Sequence, residues 1–205
     1  VASHIFIDGF GGMTQGLFAT LIIGTMIQQI GLLIGGSTGN VIYLLGKAAA
    51  ALTSAGIGVG VAVKYGESPL VTVSAAVAAM VGGYAGKITG GTFFVDGNAV
   101  LAGPGEPLGA FIAAFAGITC GHLVSGKTKV DIIVTPVITI GAGSVVGLLV
   151  GPPISQMMTG LGSIINWATE QRPFIMGIVV SVVMGMVLTL PISSAALGII
   201  LNLSG

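Results

Sequence analysis

From Ile132 to Thr169 the chain carries no ionisable side chain, with Asp131 on one side and Glu170 and Arg172 on the other. A helix at the surface of a soluble domain turns half of itself to water and takes charged residues there, so a neutral run of this length constrains the fold more than any other feature. Its first part, Ile132–Val150, is apolar throughout and long enough to cross a hydrocarbon core of roughly 30 Å. Gly151-Pro152-Pro153 then predicts a stop, since each proline lacks an N–H and crowds the preceding turn. Beyond it, Ile154, Met157, Met158, Leu161, Ile164, Ile165 and Ala168 recur at helical spacing, with Ser155, Gln156, Thr159, Ser163 and Asn166 between them. Pro153 suits the first turn of that second helix. The expected unit is a spanning helix, a break and an amphipathic helix. Because the polar face is uncharged, two roles stand open for it: hydrogen bonding between spans, or the wall of a polar cavity.

The rest of the chain repeats this character. Mean hydropathy is +1.09, and 6% of residues are charged where a soluble domain has about a quarter. The fold class that follows is all-α, a polytopic membrane helical bundle with broken or re-entrant segments, read as one domain over residues 1–205 and expected to be incomplete at both ends. The balance of six Lys and Arg against six Asp and Glu offers no basic surface for nucleic acid. Cys120 is the single cysteine and lies in an apolar run, which excludes a disulfide framework. No metal-ligand cluster, phosphate loop or nucleophile–base constellation is legible, so neither a cofactor nor catalysis is expected.

Taken in order, the expected spans are Thr14–Gly36, Val41–Val63, Leu70–Gly86, Leu108–Val124, Ile132–Val150 and Phe174–Leu190, with a partial seventh from Ala195. Lys64, Lys127 and Lys129 then share the face of the N-terminus, and Lys47 and Lys87 the other; the positive-inside rule puts the N-terminus in the cytoplasm by this narrow count. Lys47 is expected to snorkel to an interface. Between Lys87 and Glu106 runs a glycine-rich loop whose centre, Thr92-Phe93-Phe94-Val95, is apolar; it is expected to dip into the membrane. Glu106-Pro107 has the form of a helix start, with a carboxylate at the positive end of the helix and proline in its first turn.

Solute sites in membrane proteins tend to form where spanning helices break. Three breaks are legible, at Gly103–Pro107, at Gly151, Pro152 and Pro153, and at Pro191–Ser194. Each has a polar side chain at hand: Glu106; Ser155 and Gln156; Ser193 and Ser194. These five are the candidate solute-binding residues. The competing reading is that the breaks are plain turns and that Glu106 is only a cap. The small-residue pairs Gly82/Gly86, Gly117/Gly121 and Gly143/Gly147 suggest surfaces for a homodimer.

Val150-Gly151-Pro152-Pro153-Ile154, the amphipathic stretch after it and the Gly/Met-rich span ending near Pro191 resemble the sugar-translocating IIC subunits of the bacterial phosphotransferase system, in the fructose/mannitol-like branch and its IIC-like relatives, toxin-regulator-like proteins included. Gly56–Gly86, with its Lys-Tyr-Gly-Glu-Ser-Pro turn, is similar to a hairpin of that family, and Gly109–Gly117 to its Gly-Ala span. The likeness covers roughly Thr53 to Ala196. Thr189–Ser194 keeps the family's proline and lacks the Asn and Lys of the fructose-type pattern. The resemblance implies a multi-pass protein of the bacterial inner membrane that binds a small polar solute, a carbohydrate by class, and moves it across the bilayer. Separate soluble IIA and IIB proteins would then carry the phosphoryl chemistry. The alternative on the same fold is a membrane sensor or regulator that binds a solute without moving it.

Overall fold

The computed structural model describes residues 8–169 and the pairs 177–178, 181–182 and 185–186. Pro191, Ser193 and Ser194 lie outside the described residues, and the span expected over Phe174–Leu190 is described at those three pairs alone.

The chain enters through α1 (Phe10–Leu17), a π-helical turn over Phe18–Ile22 and α2 (Ile23–Ile34), which run on as one apolar helix. Gly35 reverses the chain, and α3 (Gly36–Ala51) returns along α2. α3 begins at Gly36, so residues 37–40, left between the expected spans, are helical, and Gly35 and Gly36, both at φ +65°, make the turn. Small residues hold this hairpin together: a methyl placed on Gly24 or Gly46 would strike the facing backbone, as it would on Gly31 or Gly39.

At Leu52 the direction changes by 53° into α4 (Thr53–Lys64). The single span expected over Val41–Val63 is therefore a bent pair. α4 packs on α1 through facing glycines, Gly56 and Gly60 against Gly16 and Gly12. After the Tyr65–Ser68 turn, Pro69 starts α5 (Pro69–Gly83), with Ser68 capping it through its hydroxyl. Tyr84 interrupts the helix, and α6 (Ala85–Thr89) follows. A small hairpin pairs β1 (Phe94–Val95) with β2 (Asn98–Ala99). α7 (Pro107–Val124) and α8 (Asp131–Thr169) complete the described fold.

Two expectations are corrected here. Gly151-Pro152-Pro153 does not stop the helix, because α8 runs unbroken for 39 residues with both prolines inside it. Prolines 152 and 153 deprive the carbonyls of Leu148 and Leu149 of their helical donors, but the turns on either side are pinned. Gly147 lies against Gly82 and Ala113, and Gly151 against Ala85. At 1.5 Å per residue α8 is about 58 Å long, well beyond one upright span. The second correction concerns the homodimer surfaces. Gly82 faces Gly109 and Ala113, Gly117 and Gly121 face Thr139, and Gly143 faces Ala113 and Ala78. These glycines serve packing of α5, α7 and α8 within one chain.

Among the described residues three helices are long and apolar enough to cross a membrane, and the bent pair makes a fourth. α5 has 15 residues, about 22 Å of helix, and stops short of a full crossing. The buried core, built from Met13, Leu17, Ile57, Val61, Val71 and Phe111 among others, joins α1, α4, α5 and α7. At one end of the bundle the α4–α5 turn is tied to the end of α7. His122 Nδ1 lies 3.0 Å from Glu67 Oε1, and the Ser68 and Ser125 hydroxyls are 3.2 Å apart.

Candidate functional site

Measured from that tied end, α4 reaches inward about 18 Å, α5 about 22 Å and α7 about 27 Å before each is interrupted. The three interruptions meet: Leu52 between α3 and α4, Tyr84 between α5 and α6, and Gly103–Glu106 before α7. Side chains and amides of the breaks satisfy the backbone groups that the breaks release. The Tyr84 hydroxyl lies within reach of the Ala51 carbonyl at 3.2 Å and of the Gly103 carbonyl. Ser54 Oγ donates to the Pro104 carbonyl at 3.0 Å, and the Glu106 N–H to the Gly83 carbonyl at 2.7 Å. Tyr84 and Ser54 are buried, so each hydroxyl is a tie made without water. Irregular backbone at such depth needs this internal satisfaction.

Gly105 shows how tightly the segment before α7 is held. Its φ is +76°, and a Cβ there would collide with Ser54 Oγ and crowd the Gly83 carbonyl. Glycine is required on both counts.

Against this junction lies a cavity of about 180 Å³ lined by Gly83, Gly86, Lys87, Ala102, Glu106, Ser155 and Thr159, with Met158 at its wall. Glu106 is 9% exposed and caps α7, its Oε1 accepting from the Leu108 N–H at 3.4 Å. Lys87 comes from α6, its ammonium donating to the Ala102 carbonyl and standing 5.4 Å from the centre of the Tyr84 ring. Ser155 and Thr159 come from α8, one turn apart, and the Thr159 hydroxyl donates to the Ser155 carbonyl at 2.9 Å. Gly86 lets α8 come close: a methyl there would stand 3.1 Å from Ser155 Oγ. One carboxyl group, one ammonium, two hydroxyls and several carbonyls thus face a small, half-open volume. The set offers donors and acceptors in balance and no group poised as a nucleophile.

Of the candidate residues, Glu106 and Ser155 share this cavity although 49 positions separate them in sequence. Gln156 faces the adjoining cleft, where Ser155, Lys87, Thr89 and Pro152 are its neighbours. For Ser155 and Thr159 the arrangement supports cavity lining over bonding to another span. Of the apolar stretch Thr92–Val95, expected to dip inward, Phe94 and Val95 pair with Asn98 and Ala99 in a hairpin turned at Asp96, while Phe93 is half-buried with its ring 5.4 Å from that of Tyr84. The tucked segment is the return limb, Ala102–Glu106. Polar side chains were available to hold that limb, whereas two phenylalanines beside an Asp-Gly turn pair more readily as a hairpin. Sequence reasoning assigned Lys87 to an interface, placed Thr159 on the uncharged polar face without singling it out, and passed over Tyr84. A lysine beside a glycine cluster at the end of a span too short to cross was the available signal for Lys87; nothing marks Tyr84 without the fold.

No curated protein and no solved structure matches the chain significantly. A family model, described as phosphotransferase system, EIIC, matches residues 7–205. With its apolar helices and bent pair, the protein is a multi-pass membrane protein. That match spans nearly the whole sequence, and the chain belongs to the EIIC family of the phosphotransferase system.

Proposed function

We propose that the protein is a IIC-type permease that binds a small carbohydrate-like solute in the Glu106–Ser155 cavity and moves it across the bacterial inner membrane. The observation that carries this reading is the meeting of two helix interruptions, at Tyr84 and at Gly103–Glu106, beside one cavity, with Glu106 from the cap of α7 and Ser155 from α8 facing the same space. A neutral polyhydroxylated solute is held by many short hydrogen bonds, and a carboxylate among hydroxyls and carbonyls supplies them. On this reading the chain positions its solute and performs no chemistry, and a separate IIB protein phosphorylates the solute at the cytoplasmic face. A homodimer would use a surface other than the glycine pairs already spent inside the chain.

The test is solute binding to the full-length protein in detergent, screened by thermal shift against sugars, polyols and sugar acids, since a ligand of the folded state raises its melting temperature. A hit is then followed by uptake into proteoliposomes. Uptake supports the permease, whereas binding with no uptake in the presence of IIA and IIB partners assigns the fold to the sensor reading.

A further inference from the structure

The return limb that carries Glu106 has a second side. Ala102, Pro104 and Glu106 turn towards the cavity described above, while Leu101 and Gly103 turn the other way, together with one edge of Pro104. There they close a separate cavity of about 280 Å³, completed by Leu21, Thr25, Gln28 and Lys47. The two volumes are separated by the limb, a single layer of backbone.

Lys47 is the feature that calls for a ligand. It lies about three turns, or roughly 16 Å, along α3 from Gly36, and one turn before the Leu52 bend. It packs beside the middle of the 25-residue helix Phe10–Ile34, since Gly46 rests against Gly24 and Gln28. The helix begins at Gly36 and not at Val41, which sets Lys47 further from its start than the sequence alone implied. Lys47 is exposed at that depth. An ammonium exposed within the hydrocarbon layer is costly, so the space it meets must hold water or an anion. Thr25 Oγ1 donates to the Leu21 carbonyl at 2.6 Å, leaving the Gln28 amide and Lys47 as the groups free to address a solute from this side.

We propose that the Lys47 cavity is a second solute subsite, selective for an anionic group, and that the solute is a sugar acid, a polyhydroxylated carboxylate. This rests on the permease reading and narrows it. A lone lysine matches a monoanion, whereas a phosphate dianion would leave charge uncompensated in a confined space. No carboxylate is among the residues lining the Lys47 cavity, whereas Glu106 offsets Lys87 in the other, so an anionic group is favoured on the Lys47 side of the limb.

The experiment uses the full-length protein in detergent with Cys120→Ser, and a reporter introduced as Gln28→Cys. Its reaction rate is measured with the anionic sulfonatoethyl and the cationic trimethylammonioethyl methanethiosulfonates. The anionic reagent is expected to react faster by at least about fivefold, the factor one ammonium a few ångströms away gives in water. Lys47→Met should abolish that preference and Lys47→Arg should keep it. D-gluconate, D-glucuronate and D-galactonate are then added, and at least one should slow the labelling more than D-glucitol and D-glucose do. No reaction with either reagent, a cationic preference, or a ratio indifferent to Lys47→Met overturns the anion subsite; equal protection by acids and neutral sugars overturns the sugar-acid assignment. Glu106→Gln separates this from the permease reading. It should leave the charge preference at position 28 intact while weakening solute binding, so an intact preference with unweakened binding counts against the Glu106 site and not against the Lys47 one.

Discussion

Glu106 does two jobs whose energies can be separated. Its Oε1 accepts from the Leu108 N–H, a role a glutamine oxygen fills equally, whereas on the permease reading its carboxyl group also meets the solute. Glu106→Gln should therefore lower the melting temperature little and weaken solute binding by about 1.5–3 kcal/mol, roughly ten- to a hundredfold, measured by calorimetry. Gly105 behaves oppositely. Gly105→Ala forces a side chain into φ +76° and against Ser54 and Gly83, so a loss of about 1–3 kcal/mol in stability is expected from thermal unfolding in detergent. Glu106 was legible in the sequence because Glu-Pro before an apolar run is a helix start in any fold. Gly105 was legible only as a turn residue, since its neighbour Ser54 comes from a helix 51 positions away.

Among the elements, apolar runs located the helices and glycines located most turns, and both signals are local. The bend at Leu52 left no such trace, for no proline or glycine stands there; the carbonyls before it are taken by side chains, Ala50 by the Thr53 hydroxyl at 2.6 Å and Ala51 by the distant Tyr84 hydroxyl. Removing that tie should loosen the return limb. Tyr84→Phe is expected to cost about 1–3 kcal/mol and to speed amide hydrogen exchange across residues 101–105, while exchange in the middle of α7 stays slow. The misreading of Pro152 and Pro153 has the same root. A proline marks lost hydrogen bonds, but neighbours decide whether the helix ends, and Gly147 and Gly151 seat α8 closely on α5 and α6. The close seat of α8 at Gly143 makes a sharp contrast with a dimer role. Gly143→Val should destabilise the single chain by about 1–3 kcal/mol or more through overpacking against Ala78 and Ala113, and light scattering should show unfolding or aggregation in place of a clean shift to monomer.

Among the described residues, α4, α5 and α7 reach inward from the tied end and stop partway, and the cavity beside their ends gathers polar groups from α6, the cap of α7 and α8 in one place. Composition and periodicity disclosed that this is a helical membrane protein; the pairing of Glu106 with Ser155 required the fold, since it depends on Gly86 admitting α8 beside α6. The central claim is that this junction binds the solute. Its most direct measurement is the ligand-induced thermal shift of the full-length protein, compared among wild type, Glu106→Gln and Ser155→Ala with the same sugar, polyol or sugar acid at the same concentration. The account predicts a shift in the wild type that falls steeply in Glu106→Gln and partly in Ser155→Ala, with the unliganded melting temperatures nearly unchanged. A shift of the same size in all three proteins would contradict it.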